Sequence, residues 1–129
     1  MRYLKEIVIV TFGCLFISAC SFNKPVSREY TLADSTYVVE DTNNYGCKPP
    51  SKADVEHILN TSVNVTDRDI HDYYLIVGCS ITGTLLNKGT PKSFTLDLGG
   101  IIYLNDGTRL ACAEDCCADP SFEYCTYEE

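Results

Sequence analysis

The chain has 129 residues, with 10 Lys and Arg against 18 Asp and Glu, a formal net charge of -8, 8 Cys, 9 Tyr and no Trp. That length holds one small domain and excludes a multidomain enzyme with a separate cofactor domain. The acidic balance excludes a reader of the phosphate backbone of nucleic acid, which needs clustered Lys and Arg, and leaves a basic protein as the charge-compatible partner.

Residues 1–20 read MRYLKEIVIVTFGCLFISAC. Arg2 and Lys5 open the chain, Ile7 to Ile17 is a nearly unbroken apolar run, and Ser18 and Ala19 follow. A basic start, a short apolar stretch and small residues form a secretory signal. The run is shorter than the ~20 apolar residues that span a bilayer. Ile17-Ser18-Ala19-Cys20 resembles the lipobox of bacterial lipoproteins. The resemblance implies cleavage before Cys20, a diacylglyceryl group on its sulfur and fatty acylation of the new amino group, so 1–19 is a signal peptide. One acyl chain binds a membrane marginally, whereas two or three hold it, at about 0.8 kcal/mol per buried CH₂. In that family an Asp after the Cys favours inner-membrane retention. Ser21 stands here, which implies the outer membrane, facing the periplasm.

Loss of residues 1–19 removes Arg2, Lys5 and Glu6, so the net charge moves from -8 to -9. Cys14 leaves with the peptide and Cys20 takes the lipid. Residues 20–46 read as anchor and flexible tether, punctuated by Pro25, Ser27, Asp34, Asn43, Asn44 and Gly46, with one short β segment at 36–40. The folded domain is expected over 47–129.

Within it, Ser51 with Asp54 three residues on marks a helix start, and Val55, Ile58 and Leu59 make one apolar stripe, so a helix is predicted over 52–59. Residues 62–66 alternate as a strand. Asp67-Arg68-Asp69 reads as a turn or loop. The stretch 73–86 alternates with Tyr73, Leu75, Val77, Cys79, Ile81 and Leu85 on one face, which predicts a long strand with those residues inward. Asn87-Lys88-Gly89 is a turn, and Pro91 is expected outside any central pairing. Phe94, Leu96 and Leu98 alternate with Thr95 and Asp97 as the next strand, Gly99-Gly100 permits a bend, and residues 101–104 continue it. Asn105-Asp106-Gly107 is a tight-hairpin signal, with 108–113 returning. This order predicts an α+β domain, one short helix packed on a small antiparallel β meander.

Cys47, Cys79, Cys112, Cys116, Cys117 and Cys125 are an even set in an exported chain, and read as three disulfides. Adjacent Cys116 and Cys117 are expected to reach different partners. The expected pairing joins Cys79 to one of Cys112, Cys116 or Cys117, and Cys47 to Cys125. A tetrahedral zinc site on Cys112, Cys116, Cys117 and Cys125 is the competing reading, but the spacing lacks a paired C-x₂-C knuckle. Six acids and no base lie in 114–129, which opposes four thiolates. No metal and no cofactor beyond the lipid is expected.

His57 and His71 are the only histidines and read as surface or helix-packing residues. The run 67–72 invites a calcium loop, but His71 and Asp72 occupy its fifth and sixth positions and no Glu closes it. His71 with Asp69 or Asp72 is the one candidate acid–base set for a hydrolase. No phosphate loop, nucleophile elbow or dinucleotide fingerprint occurs, so no enzyme is expected.

The parts Asp69-Ile-His-Asp-Tyr73, Cys79, Gly83-Thr-Leu85 and the Cys112–Cys117 close resemble small exported Cys-containing bacterial proteins of unknown role. That resemblance covers under half of the chain and implies no activity. The sequence expectation is a lipid-anchored, protein-binding lipoprotein of immunity or inhibitor type. The alternative is a structural, envelope or exclusion lipoprotein.

Overall fold

The computed structural model describes residues 28–33 and 38–128. The signal peptide, the lipobox, Cys20 and much of the expected tether lie outside the described residues. In chain order the elements are β1 (Tyr30–Leu32), β2 (Val38–Asp41), α1 (Lys52–Thr61), β3 (Val63–Asn64), α2 (Asp67–Tyr73), β4 (Cys79–Asn87), β5 (Thr90–Asp97), β6 (Ile101–Leu104) and β7 (Arg109–Ala111).

The expected α+β class is corrected. The fold is mostly β, a curled antiparallel half-barrel with two short helices. The strand order is β1-β4-β5-β6-β7-β3, and β2 pairs β4 beside β1. Two segments from the stretch read as tether account for β1 and β2, so the sheet takes in residues before Cys47. They supply the hydrogen-bonding edge that a 73–86 strand would otherwise leave open.

Period-two alternation sorts the side chains into two faces. Ile81, Leu96, Ile102 and Leu110 lie opposite one another across β4, β5, β6 and β7, and all are fully buried. On them packs α1, through Val55, Ile58 and Leu59, also fully buried. The Ser51 side chain accepts from the Asp54 N–H at 3.1 Å, the predicted cap. The helix ends two residues later than expected, where the Ser62 N–H still donates to the Ile58 carbonyl.

The opposite face is reached by Ile101 and Ala111, which pack with Ile70 of α2 and with Tyr74. That second helix replaces the loop expected at Asp67-Arg68-Asp69. Its cause is a capping box: the Thr66 side chain accepts from the Asp69 N–H, and the Asp69 carboxylate accepts from the Thr66 N–H. These bonds also hold the Asp69 carboxyl below its ordinary range. Two orphan donors are satisfied, which makes a short helix tolerable.

The β4–β5 hairpin turns on Lys88 and Gly89, both with positive φ, as a two-residue primed turn requires. Pro91 lies inside β5 opposite Leu86, at a position paired on one side only and so outside any central pairing, as expected. It is tolerated because β6 pairs β5 only as far as Phe94, so no third strand needs a donor there. The Asn105–Gly107 turn closes β6 onto β7, with the Leu104 N–H donating to the Thr108 carbonyl at 2.9 Å. The 62–66 strand shrinks to Val63–Asn64, paired with β7.

Candidate functional site

The six cysteines pair as Cys47–Cys79, Cys112–Cys116 and Cys117–Cys125. The expected Cys79 and Cys47 pairings are therefore corrected, and local geometry explains why. Asp41 sits opposite Cys79 in the β2–β4 register. Its carboxylate accepts from the N–H groups of Tyr45, Gly46 and Cys47, at 2.8, 2.8 and 3.1 Å. The chain is thereby folded back, and Cys47 returns to Cys79. The backbone donors of Tyr45 and Cys47 also hold the Asp41 carboxyl below its ordinary range. At the other end, the Cys117 N–H donates to the Ala113 carbonyl, and this single turn brings Cys116 back to Cys112.

The last two bridges touch. The Sγ of Cys112 lies 3.5 Å from that of Cys117 and 3.9 Å from that of Cys125. The four sulfurs weighed as zinc ligands are thus gathered in one place and joined in pairs. His57 buttresses them from α1. Its Nε2 is 3.0 Å from the Cys116 carbonyl, and its ring meets Phe122 edge-on at 4.9 Å.

From Cys125 the chain runs along the segment that joins α2 to β4. The Thr126 hydroxyl accepts from the Leu75 N–H at 3.1 Å and donates to the Gly99 carbonyl at 2.7 Å. The Tyr127 ring lies 5.4 Å from that of Tyr74 and 6.4 Å from that of Tyr73. The Glu128 N–H donates to the Tyr73 carbonyl at 3.0 Å.

Asp97 fixes the other end of the same segment. It is 6% exposed. Its Oδ1 accepts from the Val77 N–H at 3.0 Å and the Gly99 N–H at 2.8 Å, and its Oδ2 accepts from the Gly78 N–H at 3.2 Å. Three backbone donors satisfy a buried carboxylate that would otherwise be costly. Gly99 is required there, since a Cβ would run into the Leu75 carbonyl.

These bonds overturn the strand predicted over 73–86. It begins only at Cys79, because the N–H groups of Val77 and Gly78 go to Asp97, and Gly78 has positive φ. From Cys79 on, the predicted face holds, with Cys79, Ile81 and Leu85 buried. Before it, the expected inward residues point to solvent. Tyr73 is 42% exposed, Leu75 64% and Val77 41%, and Ile76, expected on the other face, is 68% exposed as well. Tyr45, also exposed, has its ring against Gly78. Asp72 and Glu128 border the patch as exposed acids. Sequence reasoning missed this surface, along with the roles of Asp97, Thr126 and Tyr127. One available signal was an acid, Asp97, one residue short of Gly99-Gly100 at the end of an apolar strand.

Of the histidine and carboxylate sets, only His71 and Asp72 come together. His71 Nδ1 is 2.9 Å from Asp72 Oδ1, but the His71 side chain is 87% exposed. Asp69 is occupied by Thr66, Asp72 also pairs with Arg68, and Asp67 pairs with Arg109. The 67–72 run is therefore a solvated helix, with its carboxylates turned to separate partners. Elsewhere, Thr82, Thr84, Ser93, Thr95, Tyr103 and Asn105 line a shallow concavity of about 490 Å³ on the face opposite α1. Its polar lining is hydroxyl and amide groups.

Among the described residues no helix is long and apolar enough to cross a membrane. No protein-family model, curated protein or solved structure matches this chain.

Proposed function

We propose that this is an exported, lipid-anchored protein whose folded domain binds a basic protein partner, as immunity proteins and anchored inhibitors do, and acts by binding rather than catalysis. The anchor rests on Ile17-Ser18-Ala19-Cys20 and on the short apolar run before it. Ser21 points the anchor to the outer membrane and the domain to the periplasm.

One observation carries the binding reading. The apolar side chains of Leu75, Ile76 and Val77 stand in solvent on a backbone tied down at Leu75, Val77 and Gly78. Exposed contiguous apolar surface is a mark of interaction sites. A backbone already ordered spares the entropy that docking otherwise costs. The chain's net charge of -8 and the flanking Asp72 and Glu128 favour approach by a basic surface. Apolar anchors then supply the affinity, and the charge supplies the rate.

The test uses the mature chain under non-reducing conditions against basic exported proteins encoded beside it. Wild type binds one of them, with an association rate that falls as salt rises. Ile76→Asp weakens binding by about 30-fold, the effect of losing one interface hot spot. Unchanged binding by Ile76→Asp and Leu75→Asp, or no binding and no protection of cells against those proteins, overturns the reading. Cys20→Ser releases the protein or leaves it unprocessed. A Cys20→Ser protein that stays processed and membrane-bound removes the anchor.

A further inference from the structure

We infer that the Cys117–Cys125 bridge is a thiol–disulfide exchange site for a dithiol, and that opening it releases the Leu75–Val77 surface at its Leu75 end. The second half of this rests on the binding role proposed for that surface.

Accessibility selects the bridge. Cys112 and Cys116 are 0% and 1% exposed, and the Cys47–Cys79 bridge pairs a partly exposed Cys47 with a Cys79 only 4% exposed, whereas Cys117 and Cys125 are both partly exposed. The Cys117–Cys125 pair alone among the three offers either sulfur to an incoming thiolate, and exchange needs access to a sulfur. The dithiol attacks Cys125 Sγ, and Cys117 leaves as a thiolate. The second thiol of the dithiol then displaces Cys125 from the mixed disulfide. The dithiol departs as its own disulfide, and two electrons have passed to the protein.

Proximity sets the next step. The freed Cys117 sulfur lies 3.5 Å from Cys112 Sγ. It attacks there, a Cys112–Cys117 bond forms, and Cys116 leaves as a thiolate that takes up a proton. No further electrons are needed. The two bridges therefore behave as one unit, and opening the outer one transfers a free thiol to the buried Cys116.

Connectivity links that chemistry to the surface. Cys125 directly precedes Thr126, whose hydroxyl binds Leu75 and Gly99. Tyr127 and Glu128 follow, against Tyr73 and Tyr74. The bridge is the only covalent tie between residues 118–128 and the rest of the described fold beyond the chain itself. Once it opens, the polar contacts of Thr126 and Glu128 compete with water unaided, and the backbone loosens at Tyr73 and Leu75, while Asp97 still holds Val77 and Gly78.

The test titrates the mature chain with dithiothreitol, alkylates the free thiols rapidly and maps the label by mass spectrometry. The first species to form carries two labels, on Cys116 and Cys125, with Cys47–Cys79 intact. In that species the Leu75 amide exchanges with solvent at least tenfold faster, while the Val77 amide, held by Asp97, and the Ile81 and Leu96 amides keep their protection. Cys125→Ser, examined by the same measurement, shows the same loosening. Label on Cys117 and Cys125 overturns the transfer step. Reduction of Cys47–Cys79 first overturns the choice of bridge, and unchanged exchange at Leu75 overturns the release. None of these readouts needs a partner, so they stand or fall separately from the proposed binding.

Discussion

The two faces of the sheet are held by different forces. On one, Val55, Ile58 and Leu59 of α1 meet Ile81, Leu96, Ile102 and Leu110, all fully removed from water. On the other, Ile70 and Tyr74 cover little more than Ile101 and Ala111. The remaining order there comes from Asp97, Thr126 and the irregular 124–128 segment, through hydrogen bonds that fix backbone and leave side chains free. Burial is non-directional and sets how stable the domain is. Hydrogen bonds are directional and set where a loop sits. The first face thus supports the fold, and the second positions a surface.

The sharpest way to break this contrast is Leu59→Ala. It empties a filled site under α1 and is expected to cost about 2–5 kcal/mol in denaturant unfolding. A loss below about 1 kcal/mol would mean that α1 is not the main source of stability. Asp97→Ala comes next. It orphans three backbone donors and is expected to cost about 2–3 kcal/mol. Its signature is faster amide exchange at Val77, Gly78 and Gly99, out of proportion to that at Ile81 or Ile102. Equal acceleration everywhere would erase the distinction between the faces.

A smaller effect comes from pH. Burial pushes the Tyr74 phenol from 10.0 up to about 12, with the neighbouring Tyr127 adding to it. The unfolded chain gives up this proton near 10.0 while the folded chain keeps it. The contribution is therefore complete below pH 10 and is lost as pH rises toward 12. Urea unfolding across that range should show stability falling in wild type and falling less steeply in Tyr74→Phe. Parallel curves would place Tyr74 outside the second cluster. The smallest effect is at Ser62, whose buried hydroxyl has no partner among the described residues. Ser62→Ala is expected to be neutral or stabilising by up to about 1 kcal/mol. A clear destabilisation would show that the hydroxyl is satisfied.

Much of the first face was legible. The Ser51 cap, the Val55-Ile58-Leu59 stripe and the alternation from Cys79 to Leu85 are short-range patterns, and each has one structural solution. The second face was not, because its causes lie far apart in the chain. Leu75 and Val77 continue the alternation of β4 in the sequence, and only Asp97, about twenty residues on, takes their segment out of the ladder. The helix at Asp67–Tyr73 was hidden by its acids, although Thr66 with Asp69 three residues later carries the cap signal. The bridge from Cys47 to Cys79 depends on Asp41 turning the chain, a contact that cysteine spacing does not encode.

The edge of the sheet has a consequence for how copies of this molecule behave together. Between the Leu32–Leu85 and Val38–Thr82 pairings, the edge segment advances six positions while β4 advances three. The outer strand is therefore broken into two short ladders that are out of step. The far edge, β3, is two residues long. A long, even edge invites a neighbouring chain to add a strand, and short or interrupted edges do not. Neither edge of the described sheet thus offers a second copy a long, even ladder to extend.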